Sequence, residues 1–179
     1  TKKTILVIGG SLGARTLNQA MMNHYSVLKE TGVQVLWQSG KLYFNDLNEQ
    51  LKGNEYEGIK LVQFIDRMDL AYAMADVIIS RAGAISVSEL CLIKKPVILV
   101  PSPNVAEDHQ TKNAMALVEK SAAILVKDVE AKETLIPAVL DLLKNEAQQV
   151  KLADEIAKLG KPKATESIVD ELEKITTAH

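Results

Sequence analysis

Hydrophobic and polar positions follow two alternating patterns along this chain. Short runs of β-branched and other apolar residues separate longer stretches in which apolar positions recur with the period of a helix. Some of the short runs, such as Val97–Val100, are apolar throughout, as in strands that are covered on both faces. Alternation of this kind is typical of βα units and a parallel sheet. The pattern predicts six strands, at residues 4–8, 33–37, 59–62, 77–79, 97–100 and 123–126.

The longer stretches predict the helices that cover this sheet on both faces, at residues 14–30, 44–51, 69–75, 86–93, 109–120, 132–144 and 148–159. A last amphipathic helix at 165–175 carries Ile168, Leu172 and Ile175 on one side. It follows the breaker Gly160-Lys161-Pro162, which lets it leave at a new angle. We therefore expect an α/β domain over residues 1–163 and a separate C-terminal helix over 164–179.

Composition places the chain among ordinary globular proteins and excludes several classes of site. Its 179 residues correspond to one domain, and a formal net charge of −2 argues against a nucleic-acid partner, which requires a basic surface. The single cysteine, Cys91, excludes an internal disulfide and lies between leucines in a predicted helix, so we expect a buried thiol. His24, His109 and His179 lack metal-ligand spacing, and we expect neither metal nor cofactor.

Neither a membrane-spanning helix nor a signal peptide is predicted. No stretch approaches the roughly 18–20 apolar residues that a membrane-spanning helix needs. The first apolar run is too short for a signal peptide. The chain opens Thr1-Lys2-Lys3 without a methionine and enters a strand almost at once, which indicates a piece of a longer protein or a processed chain.

The first candidate segment is the glycine-rich turn at residues 9–13, between a predicted strand and a helix. Glycines let the backbone approach a ligand, and a helix start offers unpaired N–H groups to a phosphate. This makes Gly10, Ser11 and Gly13 candidates for phosphate binding. The dinucleotide pattern G-x-G-x-x-G does not fit, and Ala14 and Arg15 replace the second glycine and the lysine of a Walker loop. Plain strand-to-helix packing is the alternative interpretation.

The second segment, residues 80–89, follows the predicted strand at 77–79. Gly83 and Ala84 form a tight turn of small residues, two positions after Arg81. Ser86 fits a helix N-cap, and Glu89 then falls at the position that completes a capping box. The functional alternative is a second helix N-terminus aimed at a phosphate. In that case the Glu89 carboxylate could accept both hydroxyls of a ribose.

The third segment comprises residues 101–104 and 107–113, after the predicted strand at 97–100. It is rich in polar side chains suited to sugar hydroxyls, including His109, Gln110 and Asn113. All three segments follow strands of one parallel sheet, so they meet at its carboxyl edge, where open sheets of this kind bind ligands.

Together these motifs resemble the MurG family of bacterial glycosyltransferases. The resemblance rests on GGSLGAR at 9–15 with Asn18, WQSG at 37–40, FIDRM at 64–68, SRAGA at 80–84 leading to Ser88-Glu89, and HQTKNA at 109–114. It extends to about residue 126 with ordered motifs and more loosely to the end. Members of this family transfer N-acetylglucosamine from UDP to the lipid-linked muramyl-pentapeptide precursor of peptidoglycan. The resemblance covers only the C-terminal, Rossmann-like half of their two-domain GT-B fold, which binds the nucleotide sugar.

The resemblance implies a role for each motif in binding the UDP-N-acetylglucosamine donor. Ser11 and the turn amides face the diphosphate, the backbone of Ile65 bonds the uracil, Glu89 takes the ribose and Gln110 the sugar. The phosphates also receive donors from the start of the helix at residues 84–86. The implied donor-binding residues are Ser11, Ile65, Ala84, Ile85, Ser86, Val87, Ser88, Glu89 and Gln110; further candidates are Gly10, Gly13, Arg81, Gly83, His109 and Asn113. His109 replaces a glutamine of some relatives.

The resemblance also implies what these residues lack. In this family the acceptor pocket, the catalytic base and the membrane-contacting patch lie in the N-terminal domain, so we expect no catalytic residue in this chain and no transfer by it alone. The complete protein would be an inverting transferase that converts lipid I to lipid II. It would act as a peripheral protein at the cytoplasmic face of the bacterial inner membrane. The C-terminal helix would pack towards the N-terminal domain.

Two other functions are compatible with parts of the sequence. The abrupt start at a strand fits a stand-alone subunit that binds a UDP-sugar and needs a separate membrane-bound partner, a division seen in eukaryotic dolichol-pathway transferases. A dinucleotide-binding oxidoreductase domain fits poorly, because the spacing of the glycines differs from the one that such domains require.

Overall fold

The computed structural model describes residues 2–103 and 108–177. Within these residues six strands form one parallel sheet, in the order β3-β2-β1-β4-β5-β6. The strands are β1 Thr4–Ile8, β2 Gln34–Gln38, β3 Ile59–Val62, β4 Val77–Ser80, β5 Val97–Leu99 and β6 Ile124–Leu125. Strand order reverses between β1 and β4, where Ile8 pairs with Ser80, so the segments that follow these two strands begin side by side. The predicted parallel α/β sheet is confirmed.

Nine helices are described, and most of them begin close to where the apolar period places them. They are α1 Arg15–Asn23, α2 Tyr25–Thr31, α3 Phe44–Leu51, α4 Met68–Met74, α5 Ala84–Ile93, α6 His109–Val118, α7 Asp128–Lys144, α8 Glu146–Ala157 and α9 Ala164–Thr177. The prediction of α7 was wrong by one turn at its start, since the helix begins at Asp128 rather than at residue 132.

The single helix predicted over 14–30 is in fact two, α1 and α2. The backbone leaves the helical region at His24, whose ring Nδ1 lies 3.2 Å from Ala20 O. Met21, Tyr25 and Leu28 nevertheless remain buried on the same side of the chain. The apolar period therefore continues across the break, which is why the pattern predicted one helix.

Alternate residues of the central strands enter two separate cores. Ile5 and Val7 of β1 pack on the face covered by α1 and α7, whereas Leu6 packs on the face covered by α5 and α6. Cys91 lies in the second core, where burial raises the pKa of its thiol, so the predicted buried cysteine is confirmed. Both faces of the sheet are covered, as the apolar strands predicted.

A buried hydrogen-bonded chain ties α1 to the end of β2. The indole Nε1 of Trp37 donates to Asn18 Oδ1 at 2.9 Å, and Asn18 Nδ2 donates to the Ser39 carbonyl at 3.0 Å. All three residues are buried. One side chain thus satisfies a buried donor and a buried acceptor, and it fixes the loop after β2 against the helix.

The last helix, α9, has little cover from the rest of the chain. Every described residue from Lys161 to Thr176 is exposed, and Ile168 on its apolar side is 61% exposed. Among the described residues no helix has both the length and the apolar character needed to cross a bilayer.

Replacing Asn18 by alanine should destabilise the fold strongly. The change leaves the Trp37 N–H and the Ser39 carbonyl buried without partners, so we expect the free energy of unfolding to fall by about 2–5 kcal/mol. Urea denaturation followed by circular dichroism would measure it. Asn23→Ala, on the exposed end of the same helix, is the matched control and should stay within about 0.5 kcal/mol of the wild type. Equal losses in the two variants would contradict the role given to Asn18.

Candidate functional site

The turn between β1 and α1 is packed tightly against the loop after β2. A Cβ on Gly13 would lie 2.2 Å from Ser39 O, and one on Gly40 would lie 2.1 Å from Gly13 N. Gly10 has a φ of +80° with open space where a side chain would be, so it serves the shape of the turn instead. Strand-to-helix packing therefore accounts for Gly13, but it leaves the outer side of the turn open to a ligand.

Hydrogen bonds fix the orientation of this turn. Lys41 N donates to Ser11 O at 2.9 Å, and Gly10 N donates to Gln38 Oε1 at 3.3 Å. The N-cap of α1 is Ala14, which has no side-chain acceptor for the first-turn N–H groups. The helix start consequently offers unpaired donors and its positive dipole end to whatever occupies the space beside it.

The helix α5 provides a second start of the same kind, but not as the sequence predicted. Gly83 is the N-cap and Ala84 the first helical residue, so Ser86 lies inside the first turn. The predicted Ser86 N-cap and its capping box with Glu89 were wrong, because Gly83 with extended backbone dihedrals already starts the helix. The Gly83 carbonyl accepts a hydrogen bond from Val87 N at 2.9 Å. No side chain caps the first N–H groups of α5.

Glu89 therefore does not cap α5, and its side chain contacts a residue of α4 instead. The Tyr72 hydroxyl donates to Glu89 Oε2 at 3.1 Å, and the Glu89 side chain is exposed. Burial raises the pKa of Tyr72 far above its usual range, and the negative charge of Glu89 adds to this effect. The phenol thus remains a proton donor at neutral pH and orients the carboxylate.

Arg81, after β4, is held by an acidic side chain that the sequence analysis missed. Its Nη1 donates to Val100 O at 3.0 Å and forms an ion pair with Asp128. Asp128 also accepts a hydrogen bond from the Thr16 hydroxyl at 2.9 Å. The sequence pattern did not single out Asp128, because it predicted that α7 begins at residue 132. The available signal was an acidic residue shortly after the last strand, since acidic residues are typical of the first turn of a helix.

The third segment holds the loop after β4 in place. Gln110 Oε1 accepts hydrogen bonds from Ala82 N at 3.2 Å and Ser102 N at 2.9 Å. Two N–H donors on one atom identify that atom as the amide oxygen, so the NH₂ group remains for other partners. Asn113 Nδ2 donates to Ala82 O at 3.0 Å. Asn104 and Glu107 of this segment, and His179, lie outside the described residues.

These elements enclose a cleft of about 510 Å³ at the carboxyl edge of the sheet. Among the predicted site residues its lining includes Gly10, Ser11, Gly13, Arg81, Gly83, Ser86 and Gln110. Residues that the sequence analysis did not single out also line it, namely Thr16, Tyr43 and Asp128. No three His, Cys, Asp or Glu side chains of the described residues are grouped to hold a metal ion.

The remaining predicted site residues lie outside this lining. Ser88 Oγ donates to Ala84 O at 2.9 Å, Val87 packs on the second core and Ile85 is exposed. Asn113, as above, bonds to the backbone after β4. The side chain of Ile65 is buried, whereas its backbone N–H and C=O make no hydrogen bond with other described residues. Ala84 and Glu89 are exposed at the start and in the second turn of α5, and His109 begins α6.

Comparison with known proteins agrees with this architecture. The model of the glycosyltransferase family 28 C-terminal domain matches residues 4–168. A transferase from Cytophaga hutchinsonii is 54% identical over 172 residues, covering 96% of this chain and 46% of that protein. Its name is UDP-N-acetylglucosamine–N-acetylmuramyl-(pentapeptide) pyrophosphoryl-undecaprenol N-acetylglucosamine transferase. A relative of the same name from Christiangramia forsetii is 51% identical over 174 residues, covering 97% of this chain and 46% of its own.

The solved structure of Acinetobacter baumannii MurG superposes with a TM-score of 0.82 at 30% identity, covering 97% of this chain and 50% of that one. The chain thus spans about half the length of the curated relatives it matches. The match is to the C-terminal domain of the GT-B fold, so the predicted resemblance and fold class are confirmed. The chain belongs to the family of glycosyltransferase family 28 C-terminal domains.

Proposed function

We propose that this chain is the donor-binding domain of an inverting N-acetylglucosaminyltransferase that uses UDP-N-acetylglucosamine. The observation that carries the proposal is the meeting of two uncapped helix starts, those of α1 and α5, with Arg81 at one cleft. The relatives named above, which carry this activity in their names, support it.

The diphosphate would lie between the two helix starts. First-turn N–H groups of both helices and the hydroxyls of Ser11 and Ser86 are suited to its oxygens, and the guanidinium of Arg81 adds further N–H donors. These groups bind negative charge without a metal. As the bond to the sugar breaks, charge accumulates on the departing UDP, and donors fixed in advance stabilise it.

The nucleoside would lie beyond α5, next to α4. The unpaired backbone groups of Ile65 are suited to the edge of uracil, since each could exchange one hydrogen bond with the base. Ile65, Tyr72 and Val87 all belong to the second core, on the face of the sheet that α5 covers. Glu89, oriented by Tyr72, then accepts the two ribose hydroxyls.

The Oε1 atom of Gln110 already accepts two backbone hydrogen bonds. Its NH₂ group would contact the sugar. Ser102 and Pro103 line the same end of the cleft. His109 directly precedes Gln110 in the first turn of α6 and is a further candidate for the sugar. These assignments place uracil, diphosphate and sugar in sequence along the sheet edge.

We place the acceptor site, the catalytic base and the membrane contact outside these residues, in the part of the relatives that the chain does not match. The acceptor would be the lipid-linked N-acetylmuramyl-pentapeptide in the relatives' name, and the complete protein would work at the cytoplasmic face of the inner membrane. The exposed apolar side of α9 would pack towards that other domain, so residues 1–163 would form the donor-binding unit.

The other two functions receive less support. The relatives carry the matched segment within chains about twice its length, which does not favour a stand-alone subunit. The turn at residues 9–13 packs Gly13 against Ser39 and Gly40, and its glycines retain a spacing that dinucleotide-binding domains do not use.

Calorimetric titration should show that the chain binds UDP-N-acetylglucosamine and that Glu89→Ala weakens binding by roughly tenfold or more, because two hydrogen bonds to a charged group are lost. Glu119→Ala, an exposed carboxylate on α6's far end, is the matched control and should bind like the wild type. UDP-glucose and NAD are the comparison ligands. Binding of NAD with no response to UDP would contradict the proposal and favour the oxidoreductase domain.

Gln110→Glu should separate sugar recognition from loop structure. The variant keeps an acceptor for Ala82 N and Ser102 N but has no NH₂ group for a sugar hydroxyl. We expect affinity for UDP-N-acetylglucosamine to fall about tenfold more than affinity for UDP, since about one buried hydrogen bond is lost. Gln148→Glu, exposed on α8, controls for the added charge. Equal loss for both ligands would place Gln110 away from the sugar.

A chain that ends at Lys163 should retain its affinity for UDP-N-acetylglucosamine within about twofold, because α9 buries little surface on the domain. Calorimetry on the shortened and complete chains would test this. Loss of folding, or a large loss of affinity, would show that α9 belongs to the donor-binding unit.

A further inference from the structure

One carboxylate, that of Asp128, joins three of the chain segments that surround the cleft. It is the first residue of α7, three positions after the end of β6. Its Oδ1 pairs with Arg81 from the loop after β4, and its Oδ2 accepts the hydroxyl of Thr16 from the first turn of α1. Arg81 extends the connection to the end of β5 by donating to Val100 O at 3.0 Å.

The surroundings of this ion pair make it more than a surface contact. The side chains of Arg81 and Asp128 are each 17% exposed, so solvent screens their attraction only weakly. Each carboxylate oxygen has its own partner, which fixes the plane of the carboxylate. Val100 O and Asp128 both engage Nη1 of Arg81, so the guanidinium is held from one side.

The rest of the guanidinium remains for a ligand. Among the described residues neither Nε nor Nη2 of Arg81 has a hydrogen-bond partner, and Arg81 lines the cleft. A mobile arginine side chain loses much of its rotational freedom when it binds a phosphate. A side chain already fixed by a carboxylate has lost that freedom before the ligand arrives.

We propose that Asp128 is a positioning residue, which fixes Arg81 and the first turn of α1 for the diphosphate of the donor. This inference rests on the proposed function, since it assumes that the cleft takes a nucleoside diphosphate. Asp128 itself does not touch the ligand. Its negative charge opposes the diphosphate, and the fixed orientation of the Arg81 donors outweighs that repulsion because Arg81 already neutralises the carboxylate.

The test compares UDP with uridine, which lacks the phosphates. In NMR titrations Asp128→Asn should weaken UDP binding about tenfold and leave uridine binding unchanged, the tenfold change being what about one well-oriented charged hydrogen bond contributes. Asp141→Asn removes the same charge from an exposed position on the same helix and should bind both ligands like the wild type. Thr16→Val should weaken UDP binding by a smaller factor, since it removes only one of the two contacts of the carboxylate.

A double-mutant cycle tests whether Asp128 acts through Arg81. In an Arg81→Ala background, Asp128→Asn should cause no further loss of UDP affinity, because the side chain that it positions is absent. The same loss in both backgrounds would overturn the proposal. So would UDP binding that is unchanged or tighter in Asp128→Asn, or a parallel loss for UDP and uridine, which would indicate a structural role alone.

The failure of this inference can be told from failure of the proposed function. A wild-type chain that binds UDP, with an Asp128→Asn variant that binds it equally well, overturns only the positioning role. If the wild-type chain binds uridine and UDP with the same affinity, the proposed function and the positioning role are both overturned.

Discussion

The contact on which the rest of the site depends is the approach of two backbone segments at Gly13 and Gly40. A Cβ at either position would lie little more than 2 Å from a backbone atom of the facing segment. The approach brings the turn after β1 onto the loop after β2 and sets where α1 begins. Asn18 then secures the same loop from within α1, through Ser39 and Trp37. The donors at the helix start are thus positioned by van der Waals contact and buried hydrogen bonds rather than by the ligand.

Strand order supplies the second constraint. Because β1 and β4 are neighbours and their connections run to opposite faces of the sheet, the turns that follow them separate and leave a crevice between α1 and α5. Both helices begin there without a side-chain cap, at Ala14 and Gly83. A capping serine or aspartate at either place would satisfy the very N–H groups that face the crevice. The first-turn N–H groups of α1 and α5 therefore stay available to an anion in the crevice.

Sequence patterns predicted the sheet well, because the central strands β1, β4 and β5 carry buried apolar residues on both faces. They did less well wherever the backbone breaks without a break in the apolar period, as at His24 between α1 and α2. Local capping rules also failed at Ser86, since they see residue types and not the extended dihedrals that let Gly83 start α5. Sequence patterns gave no prediction at all of contacts between residues that are far apart in the chain. Nothing in the residues near Asp128 indicates that Arg81, 47 positions earlier, provides its counter-charge.

The way charge is distributed in the cleft bears on what such a site can do. Of the two arginines that line it near the helix starts, Arg15 is exposed to solvent and Arg81 is largely buried and already paired. Main-chain donors and helix dipoles would therefore supply much of the attraction for the proposed diphosphate. The positions of main-chain donors are fixed by the fold, so these donors do not move with a ligand. They favour negative charge between α1 and α5, in a geometry that the backbone fixes in advance. A site built in this way suits a departing nucleoside diphosphate, because its donors need no rearrangement as the charge develops.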